Sequence, residues 1–284
     1  MPFNWRNQPP AVLESHFNPR AAVGHSQAES YVAKYEKAAA VARERLRYRC
    51  DIRYGLAPKQ TLDLFLPKER SSTVPAVIFI HGGYWRAMDK SGTSHLFEGL
   101  VSQGIACVSV NYDLCPDVTL DCIVEEMREM LRFVHRESET YGIDPGRIFL
   151  SGHSAGAHLS AMLLGHDWSR ENLPTRPING ACLISGIYET EVVRKISVNA
   201  DVRLTEEMAR RNNCLINPPH YDLPIIIAVG EKEPKGWIAQ SELYKQICLN
   251  KGINAELIVV PGCNHFDVLT EAIVPSGCLN KYLF

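Results

Sequence analysis

From Val77 onward the chain alternates between short β-rich runs and longer stretches with apolar residues at helical spacing. The β-like runs are "VIFI" (Val77 to Ile80), "IACVSV" (Ile105 to Val110), "RIFLSG" (Arg147 to Gly152), "ACLISG" (Ala181 to Gly186), "IIIAVG" (Ile225 to Gly230) and "AELIVV" (Ala255 to Val260). Helical patterns over Val118 to Thr140, Ala155 to Leu164 and Trp237 to Asn250 lie among them. Parallel neighbours need a crossover of about a dozen residues or more, and a helix is its usual form. The rhythm therefore predicts an α/β fold, with a mostly parallel central sheet flanked by helices on both faces. "LDLFLP" (Leu62 to Pro67) adds an earlier strand, and the good helix formers of Glu29 to Arg47 add an earlier helix.

Two stretches break the rhythm. The first 28 residues are polar and proline-containing, with no period, and read as a wrap that covers some part of the surface. Between Ile187 and Tyr221 the chain is polar, has a short helical piece around Leu204 to Arg211, and carries Pro218 and Pro219. That stretch reads as a small lid or cap. At 284 residues one domain is the expectation: 1–284, with 1–47 as N-terminal wrap and helix and 187–221 as a cap-like insertion.

Composition narrows the partners and the compartment. The formal net charge is −2 with no long basic or acidic run, which argues against nucleic acid and membrane surfaces. Nine cysteines are an odd number without a C-x-x-C, and Cys107, Cys182 and Cys248 sit in apolar runs as small hydrophobes. This suits a reducing compartment. The start "MPFNWRNQPP" lacks a charged region followed by an apolar one, and no apolar run nears the roughly 18 to 20 residues of a membrane span. A cytoplasmic protein is expected.

Residues Gly152 to Gly156 read "GHSAG", a G-x-S-x-G between a β-like run and the helix-like "AHLSAMLLG". Strand, tight turn and helix are the setting in which a serine is held exposed at a strained apex as a nucleophile. Small residues two before and two after Ser154 avoid clashes, and the helix N-terminus behind it favours negative charge. A second motif, "HGGYW" (His81 to Trp85), follows "AVIFI". Two glycines weaken a strand end unless something must approach the backbone closely. A tetrahedral oxyanion needs at least two N–H donors aimed at it: one from the residue after the serine, Ala155, and one from this loop.

"HGGYW" with "GHSAGAHL" resembles the kynurenine formamidase (arylformamidase) group of α/β-hydrolases, relatives of the hormone-sensitive-lipase esterases. The wider family carries H-G-G-G and the formamidase group H-G-G-x-W, which Trp85 matches. The resemblance covers roughly Asp63 to Phe266 and, more loosely, the N-terminal helix. It implies an oxyanion hole from the amides of Gly83 and Tyr84 with Ala155.

In this fold the order is serine, acid, histidine. His265, in "VVPGCNHF" just past the last β-like run, has the order and place of a general base. His81, His153 and His158 belong to the loop and the serine turn and read as structural or pocket-lining. No H-E-x-x-H is present, which argues against a zinc hydrolase, and chemistry on a serine needs neither a metal nor an organic cofactor. After "IIIAVG" the sequence offers Glu231 and Glu233. The family pattern puts the acid three residues past the strand-ending glycine, on Glu233, where many members carry Asp; Glu231 is the alternative. Asp267 is expected to cap the following helix.

Tyr84, Trp85 and Tyr188 offer aromatic faces for a substrate pocket, although Trp85 suits core packing under the loop nearly as well. The combined reading is a serine hydrolase that forms an acyl-enzyme on Ser154, with Glu233, His265 and the Gly83, Tyr84 and Ala155 amides. Its partner is a small molecule, an aromatic one if the pocket is of the formamidase type. An aryl-formamide and a small carboxylic ester use the same machinery. A ligand-binding homologue without catalysis is the reading from another class, and a homodimer through the N-terminal helix is compatible with the sequence.

Overall fold

The computed structural model describes residues 3–69 and 72–273; Cys278 lies outside them. Eight strands form one sheet: β1 (Tyr48–Arg53), β2 (Thr61–Phe65), β3 (Val74–Ile80), β4 (Ala106–Val110), β5 (Ile143–His153), β6 (Gly180–Ile184), β7 (Ile225–Gly230) and β8 (Ala255–Val260). Their order is β1-β2-β4-β3-β5-β6-β7-β8. The β1–β2 and β2–β4 pairs are antiparallel, and every later pair is parallel. The expected mostly parallel sheet with helices on both faces is what the chain forms.

Alternation along the strands builds two cores. Ala76, Ile78 and Ile80 of β3 face one way, with Ile225, Ile227 and Val229 of β7. They pack against the helices Leu120–Arg136 and Ala155–Leu164, through residues such as Met127, Met130 and Leu159. Val77 and Phe79 face the other way with Cys182, Ile184 and Ile226, against Tyr35, Phe97, Val268 and Leu269. Cys107, Cys182 and Cys248 are buried, as their apolar runs imply. No helix among the described residues is long and apolar enough to cross a membrane.

Three features depart from the sequence pattern. Strand β1 has no signature in the sequence, because its residues "YRCDIR" carry no apolar alternation; it is a mostly exposed edge strand, interrupted by a bulge between Arg49 and Ile52. The unpatterned N-terminus forms two short helices, Pro10–Phe17 and Pro19–Val23, before the long helix His25–Arg45. That helix turns Ala28, Tyr35, Ala39 and Ala42 inward and leaves Val41 exposed. Between β6 and β7, the insertion consists of short helical pieces at Thr190–Lys195, Asn199–Val202 and Glu206–Arg211.

A buried ion network joins the N-terminal helix to the sheet. Asp63 on β2 has a fully buried side chain that accepts from Arg43, from the Asp51 N–H at 2.9 Å and from Lys90 Nζ at 2.7 Å. Lys90 also reaches Asp51 at 2.7 Å. Asp63→Asn leaves Arg43 and Lys90 under-compensated, which in a buried network costs on the order of 3 kcal/mol. Urea unfolding should show a lower midpoint at unchanged slope. A loss below about 1 kcal/mol would instead class the network with ordinary surface pairs.

Candidate active site

Strand order reverses direction between β3 and β5, where the chain leaves β3 for β4 on one side and returns on the other. Crevices open at such switch points, beyond the carboxyl ends of the strands. Ser154 sits there, directly after β5, at φ 56° and ψ −116°, a conformation rare for a residue with a Cβ. The glycines of the motif explain how the turn exists. A Cβ on Gly156 would lie 1.9 Å from the Ile80 carbonyl oxygen, and one on Gly152 would lie 2.4 Å from that of Gly156. The Ser154 N–H donates to the Ile184 carbonyl of β6 at 2.8 Å, pinning the apex from the other side.

The histidine and acid arrive on the ends of β8 and β7. Glu231 N–H bonds to the Val260 carbonyl at 3.0 Å and Lys232 N–H to that of Cys263 at 2.8 Å, so the two loops travel together. Gly230 permits this, since a Cβ there would meet the Cys263 carbonyl oxygen at 2.4 Å. His265 Nδ1 donates to Glu233 Oε2 at 2.6 Å, with both side chains buried. The other oxygen, Oε1, accepts from the Gly230 N–H at 2.8 Å and from the Ser185 hydroxyl. A carboxylate only accepts, so Nδ1 carries the proton and Nε2 is left as an acceptor. Glu231 points elsewhere, and its carboxylate accepts from the Gly262 N–H at 2.8 Å in an exposed turn. Asp267 does not supply the cap expected of it. Asn264 Oδ1 accepts from the N–H groups of Phe266 and Asp267 at 2.8 and 3.2 Å, and Asp267 instead accepts from the Tyr31 hydroxyl at 3.2 Å.

His153 and His158 divide two structural duties. His153 Nε2–H donates to the His265 carbonyl at 2.8 Å, holding the histidine loop against the serine turn. Burial first, then the neighbouring His265, holds the His153 pKa well below the ordinary imidazole value, so the ring stays neutral. His158 donates to the Asn212 carbonyl at 2.7 Å, and burial lowers its pKa to about 4.

The "HGGYW" loop follows β3. A Cβ on Gly82 would meet the His153 carbonyl oxygen at 2.9 Å, and one on Gly83, at φ 103°, the Ala87 carbonyl oxygen at 2.2 Å. Tyr84 and Trp85 also have positive φ, at 51° and 56°. Among the described residues the N–H groups of Gly83 and Tyr84 find no acceptor, and Ala155 begins its helix, where an N–H has no intrahelical partner. Stacking of Tyr112 on His81 at 4.3 Å and the bond from the Cys115 N–H to the Trp85 carbonyl at 2.8 Å hold the loop from below.

Gly83, Tyr84, His153, Ser154 and His265 line one cavity of about 420 Å³. The two other aromatic walls expected from sequence are elsewhere. Trp85 is fully buried, edge-on to His158 at 4.9 Å, and Tyr188 is fully buried, stacked on Tyr244 at 4.3 Å; neither lines the cavity. A left-handed backbone at Trp85 turns its ring into the core, and Tyr188 follows β6 into the space under the helix Lys235–Asn250. The cavity walls come instead from Met88, from Phe266 and Leu269, from Val198 and Asp201 of the insertion, and from Asn18 to Arg20, His25, Val32 and Tyr35. Only the Asn-Pro helix start at Asn18 could have signalled the N-terminal part, since the segment has no period. Among the described residues no three His, Cys, Asp or Glu side chains converge on a metal site.

The Tyr84 hydroxyl donates to the Phe17 carbonyl, so the oxyanion-side loop is fastened to the N-terminal wrap. Tyr84→Phe leaves that buried carbonyl unpaired, which costs about 1 kcal/mol. Hydrogen exchange should quicken in residues 10–23 by several-fold and stay unchanged in β3 and β5. Uniform acceleration through the sheet would mean that the contact supports the whole fold and not the wrap.

The BD-FAE family model matches residues 62–181. Kynurenine formamidase from Salmo salar is 31% identical over 280 residues, covering 95% of this chain and 93% of that one. Isoprenylcysteine alpha-carbonyl methylesterase from Arabidopsis thaliana is 34% identical over 81% of this chain and 59% of its own length. A crystal structure of a protein from Silicibacter sp. tm1040 superposes with a TM-score of 0.79 at 29% identity, covering 90% of this chain and 93% of that chain. Identity of 31% sustained over nearly the full length of both sequences makes this chain a member of the kynurenine formamidase family of α/β-hydrolases.

Proposed function

We propose that the protein hydrolyses a small aryl-formamide through an acyl-enzyme on Ser154. Ser154 Oγ attacks the formyl carbon while His265 Nε2 takes its proton. The carbonyl oxygen becomes an oxyanion bound by the amides of Gly83, Tyr84 and Ala155. His265 then gives the proton to the departing amine as the C–N bond breaks. Water, deprotonated by the same histidine, releases formate and restores the serine. Glu233 keeps the imidazole in the required tautomer and stabilises imidazolium as it forms.

The observation that carries this reading is the 2.6 Å bond from His265 Nδ1 to a buried Glu233, with His265 and Ser154 on the wall of one cavity. A volume of about 420 Å³ suits a molecule of one aromatic ring with a short side chain. Apolar wall atoms from Val32, Met88, Val198, Phe266 and Leu269 supply a surface for such a ring. The full-length likeness to a kynurenine formamidase favours the formamide. The likeness to a methylesterase favours a second reading, a small-substrate carboxylesterase with the same residues in the same roles.

The deciding measurement is kcat/KM on N-formylkynurenine against p-nitrophenyl acetate and butyrate. Ser154→Ala should lower the turnover of whichever is cleaved by about 10⁶-fold, and Glu233→Gln by about 10⁴-fold. Preference for the formamide supports the first reading. Fast ester cleavage with negligible formamide turnover transfers the support to the second. Wild-type protein inert to all three substrates and unlabelled by a fluorophosphonate overturns both.

A further inference from the structure

One hydrogen bond does not fix the plane of an imidazole. The 2.6 Å bond from His265 Nδ1 to Glu233 leaves the ring free to pivot about that axis, which would swing Nε2 away from Ser154. Two rings stand close enough to stop the pivot. His153 lies 4.7 Å from the imidazole, centroid to centroid, at 46°, and Trp237 lies 4.3 Å from it at 47°. The neutral His153 ring already donates to the His265 carbonyl.

Trp237 arrives with the acid. It follows Glu233 in the first turn of the helix Lys235–Asn250 and is fully buried. Its backbone N–H donates to the Pro234 carbonyl at 3.0 Å. A Cβ on Gly236 would fall 2.5 Å from the Phe17 ring, so the helix start is pressed against the N-terminal wrap. The indole stands 6.2 Å from the rings of both Phe17 and Tyr84, and it does not line the cavity. Among the described residues its Nε1–H has no acceptor. A buried donor left unpaired costs free energy that phenylalanine or leucine would not incur, so packing alone does not account for tryptophan here. What the larger ring adds is an electron-rich face. At 4.3 Å the two rings are too close to meet rim to rim. A cation within about 6 Å of an indole centroid is attracted to its face, and a neutral imidazole is attracted much less.

We propose that Trp237 is a positioning residue for His265: its ring holds the imidazole at the angle that presents Nε2 to Ser154, and its face stabilises the imidazolium that forms as the serine proton is taken. The inference rests on the hydrolase reading of the site and deepens it. Because the attraction grows as charge develops on the histidine, it favours the transition state over bound substrate and acts on kcat more than on KM.

Trp237→Leu should lower kcat and kcat/KM together by about 3- to 30-fold on whichever substrate is cleaved, with KM nearly unchanged. Trp237→Phe keeps an aromatic face and should recover most of that loss. Fluorinated tryptophans placed at position 237 keep the shape while weakening the face, so log kcat should fall stepwise with added fluorine. That series reads the face even where Trp237→Leu folds poorly. Labelling of Ser154 by a fluorophosphonate should slow in parallel, since the same histidine takes the proton. Trp168→Leu is the control: Trp168 is also buried, but against His166, and its loss should lower the urea midpoint without changing kcat. A flat fluorine series, equal losses in the Phe and Leu variants, a rise in KM alone, or the same loss of kcat in Trp168→Leu overturns the inference and leaves the hydrolase reading in place. Wild-type protein inert to substrate and probe overturns that reading, and the inference falls with it.

Discussion

The arrangement depends on one backbone-to-backbone contact, the approach of Gly156 to the carbonyl end of β3, where a single methyl would fall 1.9 Å from the Ile80 oxygen. Gly152 and Gly82 extend the same contact, against Gly156 and against the His153 carbonyl. Three glycines from two motifs far apart in sequence therefore form one packed junction at the switch point of the sheet. The conformation of Ser154 is imposed by that junction and by its bond to Ile184. Strain of roughly 1–3 kcal/mol at such a residue persists only where the surroundings over-determine it. The two buried cores on either side of the sheet supply that determination.

The same device recurs on the other arm. Gly230 lets the end of β7 lie against the Cys263 carbonyl, which brings the acid turn beside the histidine loop. Here the glutamate has a physical explanation. One of its oxygens is occupied by the Gly230 N–H and the Ser185 hydroxyl, and this leaves the other aimed at His265. The longer side chain loses its freedom to fixed donors of the fold, so a carboxylate one methylene further out still reaches the imidazole at 2.6 Å. Aspartate at this place would have to reach the same donors with a shorter stem.

How much of this was legible in the sequence follows from which signals are local. The parallel sheet could be read because strands buried on both faces must be apolar throughout, as in "IIIAVG" and "ACLIS". The serine turn and the glycine loop could be read because close backbone approach admits only glycine. The choice between Glu231 and Glu233 needed three dimensions, since both follow the same strand and only the turn at Gly230 decides which faces inward. Trp85 and Tyr188 could not be assigned to a wall, because an aromatic beside a site looks the same in sequence whether its ring faces the cavity or the core. Strand β1 was hidden by its exposure, and the N-terminal helices by their brevity and lack of period.

Those two hidden parts have different consequences. An edge strand adds stability, through the Asp51, Asp63 and Lys90 network, without entering the cavity. The N-terminal wrap enters it directly, with Arg20 and Tyr35 on the wall, and is fastened to the Tyr84 loop and to the insertion. The groups proposed to make and break bonds stand on the carboxyl ends of β3, β5, β7 and β8, where the sheet fixes them. The walls that meet the rest of the substrate stand on segments outside the sheet, joined to it by a few hydrogen bonds. Changes to the wall residues can therefore alter what fits while the strained serine junction is untouched. A formamide and a small ester can then be served by one set of reacting groups under different covers.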